Sequence, residues 1–303
     1  MGLWDQMLSF GKSWFSFPGV EWTLILVAIG IALAFGAIWL TAHWPPLFRY
    51  RWLWAVGIFS AFFTLAAIMF VQIPLQYGFS RGLGELFDND TLRTWLLLTG
   101  LPSVLASGFV QEAAKMVPMI VWKRWSGRSI TPAMGLAIGA IAGAGFGIFE
   151  AFWGISSVFR AGWTTAAIQA DGFMGIAPFW ERFFAIAFHI GASALVGYGL
   201  AKGKLVKFFI IAALLHSVLN YSSLIYQHWY LVTGGMLGGY IAVVEMETYI
   251  AVVAVLVTAF VMLLRWSRRF HEPDDELPAD TVTLPPGETA VIEPVEKVPA
   301  PTE

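Results

Sequence analysis

Four polar motifs lie inside segments that are otherwise apolar enough to span a membrane. They are Gln111-Glu112-Ala113-Ala114-Lys115, Phe149-Glu150, His189 and His216-Ser217-Val218-Leu219-Asn220. An ionisable side chain at bilayer depth costs roughly 2.5–3.5 kcal/mol on insertion scales, so a helix that only has to be apolar does not carry one. Acids, histidines, a lysine and an asparagine in successive segments therefore indicate a polar cavity in a membrane bundle, suited to water chemistry or transport.

The spacing inside two of these motifs places their polar side chains on one helix face. Glu112 and Lys115 are three residues apart, and His216 and Asn220 are four apart, so each pair can touch within its own helix. A cation beside a buried carboxylate favours the ionised form that a general base needs. A purely structural ion pair, with Lys115 reaching towards the membrane surface, accounts for the same spacing.

A stripe of small residues precedes the second acid. Glycine recurs at every fourth position in Gly135, Gly139, Gly143 and Gly147. Such a stripe leaves one helix face bare and allows another helix to approach closely. Glu150 follows Gly147 by three residues, so the close contact would bring a carboxylate towards the bundle centre. Arg182 lies about two turns before His189 and could face the same cavity.

The composition fixes the fold class. The chain has 303 residues, of which 58% are hydrophobic and 13% charged, and its mean hydropathy is +0.70. Soluble domains carry about 25% charged residues, so we predict an all-α, polytopic membrane helical bundle within a lipid bilayer. The net charge of −2 argues against a nucleic-acid partner, and the absence of cysteine excludes disulfides and thiolate-bound metals.

Hydropathy and composition divide the chain into three regions. Residues 1–19 mix tryptophan and leucine with polar groups and are predicted to lie along the membrane interface. Residues 20–266 form the transmembrane bundle. Residues 267–303 are rich in proline and acidic side chains and are predicted to be a disordered acidic tail. About seven spans are expected, at 20–42, 52–77, 94–122, 133–154, 180–201, 205–226 and 240–264.

Lysine and arginine in the short loops predict the orientation. Eleven of these residues flank one side of the predicted spans and five flank the other. Because the basic side faces the cytoplasm, the chain is expected in the cell membrane with its N-terminus outside and its C-terminus cytoplasmic. At about 1.5 Å per helical residue, Glu112, His189 and His216 then lie near the bilayer midplane. Glu150 is expected nearer the outer face.

In their order along the chain, these motifs resemble the PrsW family of intramembrane proteases, which belongs with the CAAX-protease and bacteriocin-processing (CPBP) superfamily. The stretch Glu181-Arg182-x6-His189-Ile190-x2-Ser193 looks more like the related YhfC branch. The resemblance covers a protease-like core at about 95–226. It implies hydrolysis of peptide bonds in or near the membrane, and it maps the family's site onto Glu112, Glu150, His189, His216 and Asn220.

The chain departs from the family pattern at two positions. The first motif usually carries paired acids, and here the first of the pair is Gln111. Ala151 follows Glu150 where the PrsW pattern often has asparagine. If paired acids share the activation of water, a catalytically weakened relative is one outcome.

We therefore expect an intramembrane endopeptidase of the glutamate type that acts on a membrane protein or peptide substrate. Glu112, aided by His189 or Glu150, would activate water, and His216 with Asn220 would stabilise the oxyanion. Lys115 and Arg182 would support the site, and no cofactor is expected.

Two alternatives remain open. In a zinc protease, His189, His216 and Glu112 would bind Zn²⁺, although the His-Glu-x-x-His signature is absent. In a different class, the chain would be a non-catalytic membrane scaffold or a proton-coupled transporter. A transporter would more readily show inverted repeats, and the sequence contains no convincing repeat.

Overall fold

The computed structural model describes residues 2–127, 129–228 and 239–269. Every regular element in these ranges is a helix, and none of their residues belongs to a strand. The predicted all-α fold class is therefore confirmed. The predicted tail lies outside the described residues from 270 onward, so its disorder stays a prediction.

Twelve α-helices follow one another in the described ranges. They are α1 (Leu3–Ser13), α2 (Trp22–His43), α3 (Trp52–Ala67), α4 (Ile73–Leu86), α5 (Asn89–Thr94), α6 (Leu96–Thr99), α7 (Leu101–Ser126), α8 (Pro132–Arg160), α9 (Ala166–Asp171), α10 (Ala177–Ala201), α11 (Leu205–Gln227) and α12 (Gly239–Arg269). A π-helical turn at Ile68–Gln72 joins α3 to α4, and a 3₁₀ turn at Gly172–Ile176 leads into α10.

Seven stretches of the described chain are long and apolar enough to cross a membrane, as predicted. They are Trp22–His43, Trp52–Leu86, Leu96–Ser126, Pro132–Arg160, Met174–Ala201, Leu205–Ile225 and Thr248–Trp266. The protein is thus a multi-pass membrane protein. Several helices extend beyond their predicted ends, because polar residues and aromatic side chains at a membrane surface continue a helix as readily as they end it.

Helix α8 packs closely against α10, and the glycine stripe makes this contact. A Cβ added at Gly135, Gly139 or Gly143 would overlap a backbone carbonyl of Gly197, Ser193 or His189, respectively. The two backbones therefore touch without intervening side chains. Since α8 and α10 are also the most deeply buried spans, this contact lies at the centre of the fold and fixes the height of His189 relative to Glu150.

We expect Gly143→Ala to destabilise the protein by about 1–3 kcal/mol, the usual cost of forcing extra atoms into a packed contact. The physical reason is the overlap of the new methyl group with the carbonyl of His189. Thermal unfolding of the purified protein in detergent measures the effect. The matched control is Gly30→Ala on α2, where nothing lies within 4 Å of the added carbon. Equal melting temperatures for the two variants would contradict the close contact.

The π-helical turn between α3 and α4 adds one residue to the local helical repeat and rotates the side chains that follow. Gln72 closes this turn and is 8% exposed, although it is polar and lies mid-membrane. Its side chain points inward, towards α7. The turn therefore places a carboxamide in the bundle interior, next to the motifs described above.

The N-terminal helix packs onto the bundle through aromatic side chains. Trp14, directly after α1, is 1% exposed. Its ring stacks on that of Trp153 on α8, with centroids 5.1 Å apart, and lies 4.9 Å from that of Phe149. The indole Nε1 of Trp153 donates to Ser13 Oγ at 3.2 Å. These contacts attach α1 beside the part of α8 that carries Glu150; its interfacial location stays a prediction.

The predicted orientation is tested by labelling engineered cysteines, since the native chain has none. A Ser126→Cys variant should resist a membrane-impermeant thiol reagent applied to intact cells, because the basic loop after α7 is expected inside. Thr165→Cys, in the exposed segment before α9, should be labelled. The reverse pattern would invert the topology.

Candidate active site

A buried carboxylate forms the centre of the site. Glu112 on α7 is 1% exposed and Lys115, one turn further on, is 0% exposed. Lys115 Nζ donates to Glu112 Oε1 at 2.5 Å, and His216 Nδ1 on α11 contacts the same oxygen at 2.7 Å. The other oxygen, Oε2, is buried and has no hydrogen-bond partner among the described residues. One carboxylate oxygen is thus held in place while its twin is left to accept a further donor.

His189 on α10 connects this carboxylate to the second acid. Its Nδ1 lies 3.0 Å from Lys115 Nζ, and its Nε2 lies 3.0 Å from Glu150 Oε2. An ammonium group can only donate, so Nδ1 accepts from Lys115 and the Nε2–H donates to Glu150. The neighbours thereby select one neutral tautomer of His189, and both of its ring nitrogens are engaged.

A second set of charges surrounds Glu150. Glu150 is 20% exposed at its side chain, and Arg182 Nη1 lies 3.5 Å from its Oε2. Arg182 also forms an ion pair with its neighbour Glu181. A side chain at Gly154 would collide with the stem of Arg182, so this glycine gives the arginine room to reach Glu150 from the next helix.

Asn220 belongs to a separate polar cluster beside the carboxylate. Its Nδ2 donates to Ser107 Oγ at 2.9 Å, and Gln111 Nε2 donates to the same oxygen at 3.1 Å. Gln111 Nε2 also lies 3.1 Å from Gln72 Oε1, while its own Oε1 is buried without a partner among the described residues. Asn220 and His216 share one face of α11, so this cluster and Glu112 are adjacent.

The structure joins the residues predicted for the site, except Asn220, in one network of polar contacts. Asn220 lies in the adjacent cluster. Glu150 joins the network through its contact with His189. Its helix, α8, continues to Arg160, past the predicted end at 154. The expected position of Glu150 nearer the outer face stays a prediction. The sequence analysis missed Ser107 and Gln72, although Ser103, Ser107 and Gln111 recur at every fourth position, a signal of one polar face.

The same residues include a set with metal-ligating atoms. One ligand atom each from Glu112, His189 and His216 lie within 4.8 Å of one another, and all three residues are buried. Two imidazoles and a carboxylate fit catalytic Zn²⁺ by type. By position the fit is incomplete, because Lys115 Nζ lies against Glu112 Oε1 and His189 Nδ1. A metal ion bound to Glu112 Oε1 and His189 Nδ1 would have to displace the ammonium of Lys115.

A family described as YhfC intramembrane metalloprotease matches residues 163–241, about a quarter of the chain. This stretch contains Arg182, His189 and His216 and leaves out both Glu112 and Glu150. No curated protein and no solved structure matches the chain significantly. Over the matched residues, the chain is therefore similar to a family of intramembrane proteases, in line with its multi-pass membrane fold.

Proposed function

We propose that this protein is an intramembrane endopeptidase in which Glu112 activates a water molecule for attack on a peptide bond. The observation that carries the proposal is the carboxylate itself. It is buried in the bundle, held by Lys115 and His216 at one oxygen, and without a described partner at the other. A general base needs such a lone pair, which is fixed in place and not occupied by a donor from the protein. The similarity to YhfC proteases favours peptide hydrolysis over the other reactions of such a base.

The proposed reaction uses the two carboxylate oxygens differently. Oε2 of Glu112 takes a proton from water as the water oxygen bonds to the peptide carbonyl carbon. The C–N bond then breaks, and the same proton passes to the leaving nitrogen. Asn220 keeps a second amide hydrogen after donating to Ser107, and this hydrogen can stabilise the oxyanion.

His216 is proposed to orient Glu112, and not to donate to the oxyanion as we expected from its spacing. Its Nδ1–H donates to Glu112, so in the neutral ring Nε2 carries a lone pair and cannot donate to an oxyanion. His216 could do so only as an imidazolium, paired with the adjacent carboxylate. Its proposed task is therefore to orient Glu112 and to share the proton during the reaction.

Glu150, Arg182 and His189 are proposed to position the base. The carboxylate of Glu150 fixes the tautomer of His189, and the free Nδ1 of that tautomer receives Lys115. Lys115 is thereby held against Glu112. Substrates are expected to be membrane-embedded or membrane-proximal peptides, because the site lies among spanning helices.

A zinc peptidase is the second candidate, favoured by the ligand atoms of Glu112, His189 and His216 and by the name of the matched family. Bound there, Zn²⁺ would polarise the peptide carbonyl and acidify a bound water. The ammonium of Lys115 between two of these ligands favours the metal-free form.

Purified protein in liposomes, incubated with a panel of single-span peptides, tests both candidates. We expect cleavage that persists after treatment with a zinc chelator, because the proposed base needs no metal. Mass spectrometry of the products measures the cleavage. Turnover that stops on chelation and returns with added Zn²⁺ would establish the zinc form instead. A panel that stays intact would favour the scaffold or transporter alternative.

A further inference from the structure

A polar cavity of about 610 Å³ lies at the end of the bundle where α1 packs. Its polar lining comes from α1, α4 and α7 and includes Gln6, Gln76, Ser80, Arg81 and Ser103. Phe10, Ile73 and Tyr77 also line the space. Because Arg81 pairs with Glu85 on the surface, the polar part of the lining consists of amides and hydroxyls. A cavity of this composition suits water, which needs several polar partners to be held.

Two polar stripes lead from this cavity towards Glu112. On one side Gln72, Gln76 and Ser80 recur at every fourth position from the π-helical turn into α4. On the other side Ser103, Ser107 and Gln111 recur in the same way along α7. Residues four apart share a helix face, so each stripe is continuous over about 12 Å at 1.5 Å per residue.

Hydrogen bonds show that the two stripes face each other. At the level of the cavity, Gln76 Nε2 donates to the carbonyl oxygen of Ser103 at 3.0 Å. Further into the bundle, Gln111 Nε2 donates to Gln72 Oε1 at 3.1 Å. The first of these contacts is partly exposed and the second is buried, so the stripes run from the surface into the bundle interior.

The inner end of the stripes carries unsatisfied acceptors. Gln111 is 6% exposed and Glu112 is 1% exposed, and each has a buried side-chain oxygen without a partner among the described residues. A buried acceptor without a donor costs about 1–3 kcal/mol. Both oxygens can accept only from a donor that enters the structure, and water is a donor small enough to fit between packed helices.

We propose that the facing stripes of α4 and α7 form a water passage, which supplies the Glu112 site from the cavity beside α1. Peptide hydrolysis consumes one water per bond, and the bilayer around the site supplies none. The need for the passage thus rests on the proposed function, whereas its existence can be tested without any catalysis. Gln111, an apparent departure from a family pattern, then has a use: it is the last polar group before the base.

Cysteine accessibility tests the passage. Methanethiosulfonate reagents react with the thiolate form of cysteine, which forms in water and not in hydrocarbon. Single variants Ser103→Cys and Ser107→Cys are reconstituted in liposomes with a small charged methanethiosulfonate reagent on both sides. The control is Leu75→Cys, on α4 beside Gln76, because Leu75 is 43% exposed on the outer surface of the bundle and would face lipid.

Both serine positions are expected to react at least about tenfold faster than Leu75→Cys. If Ser107→Cys reacts as slowly as the control while Ser103→Cys reacts fast, water stops short of Glu112 and the proposed passage does not exist. If both are slow, the cavity itself is dry. Serine and cysteine are nearly isosteric, so neither variant should disturb the fold.

A second readout tests the supply of water. A bulky adduct at Ser103→Cys should lower peptide cleavage by at least about fivefold, within the 10²-fold range that a misplaced reactant costs, and the same adduct at Leu75→Cys should leave cleavage unchanged. Labelling of Ser107→Cys with unaltered cleavage would show that water reaches Glu112 by another route. If the unmodified protein cleaves nothing, the proposed function fails, and the labelling rates still decide whether the passage exists.

Discussion

Glu112→Gln is expected to lower peptide cleavage by about 10²–10⁴-fold, the contribution of general acid–base catalysis. An amide has no lone pair basic enough to take a proton from water. This variant leaves the buried Lys115 without its anion and should lose stability, but it should still fold, because the amide oxygen can accept from Lys115 and His216 at the position of Oε1. Initial rates on the best peptide of the panel measure the effect, and size-exclusion chromatography checks folding.

The matched control is Glu21→Gln, at an exposed residue just before α2. This variant should cleave peptide at the wild-type rate. Wild-type activity in Glu112→Gln would remove the carboxylate from the mechanism and shift attention to Glu150, the other acid of the network.

Lys115→Met is expected to cost about 3–5 kcal/mol of stability, the usual effect of removing one partner of a buried ion pair. Methionine matches the lysine stem in size, so packing is kept while the carboxylate of Glu112 loses its cation. Denaturant unfolding of the detergent-solubilised protein measures this change.

The double variant Lys115→Met with Glu112→Gln distinguishes an electrostatic effect from a packing effect. Removing both charges should return most of the lost stability without returning activity. If the single variant is as stable as the wild type, Lys115 does not hold a charged carboxylate, and the proposed arrangement of the base is wrong.

The fold could be predicted from the sequence because bilayer thickness sets a length for each apolar segment, and seven such segments are present. The contact of Glu112 with Lys115 also follows from local spacing. Contacts between helices do not. The pairing of His189 with Glu150 depends on how α8 packs against α10, and residue spacing within one helix does not specify that alignment.

The polar cluster beside the base was harder still to predict. Gln72 reaches Gln111 because a π-helical turn rotates it inward, and an ordinary helical pattern does not reveal an added residue. Gln111 itself was interpreted as a missing acid, because local spacing does not reveal its contact with Gln72 in the π-helical turn.

The contact of α8 with α10 through bare backbone has a mechanical consequence. We expect these two helices to move together as one half of the site, which carries Glu150 and His189. The paired α7 and α11 form a second half, which carries Glu112 and His216. The hydrogen bond between Lys115 and His189 crosses the seam. We therefore expect that a substrate strand enters by separating the two halves. Glu150 would keep its contact with His189, and Glu112 its contact with His216. The hydrogen bond between Lys115 and His189 would be replaced by contacts with the peptide.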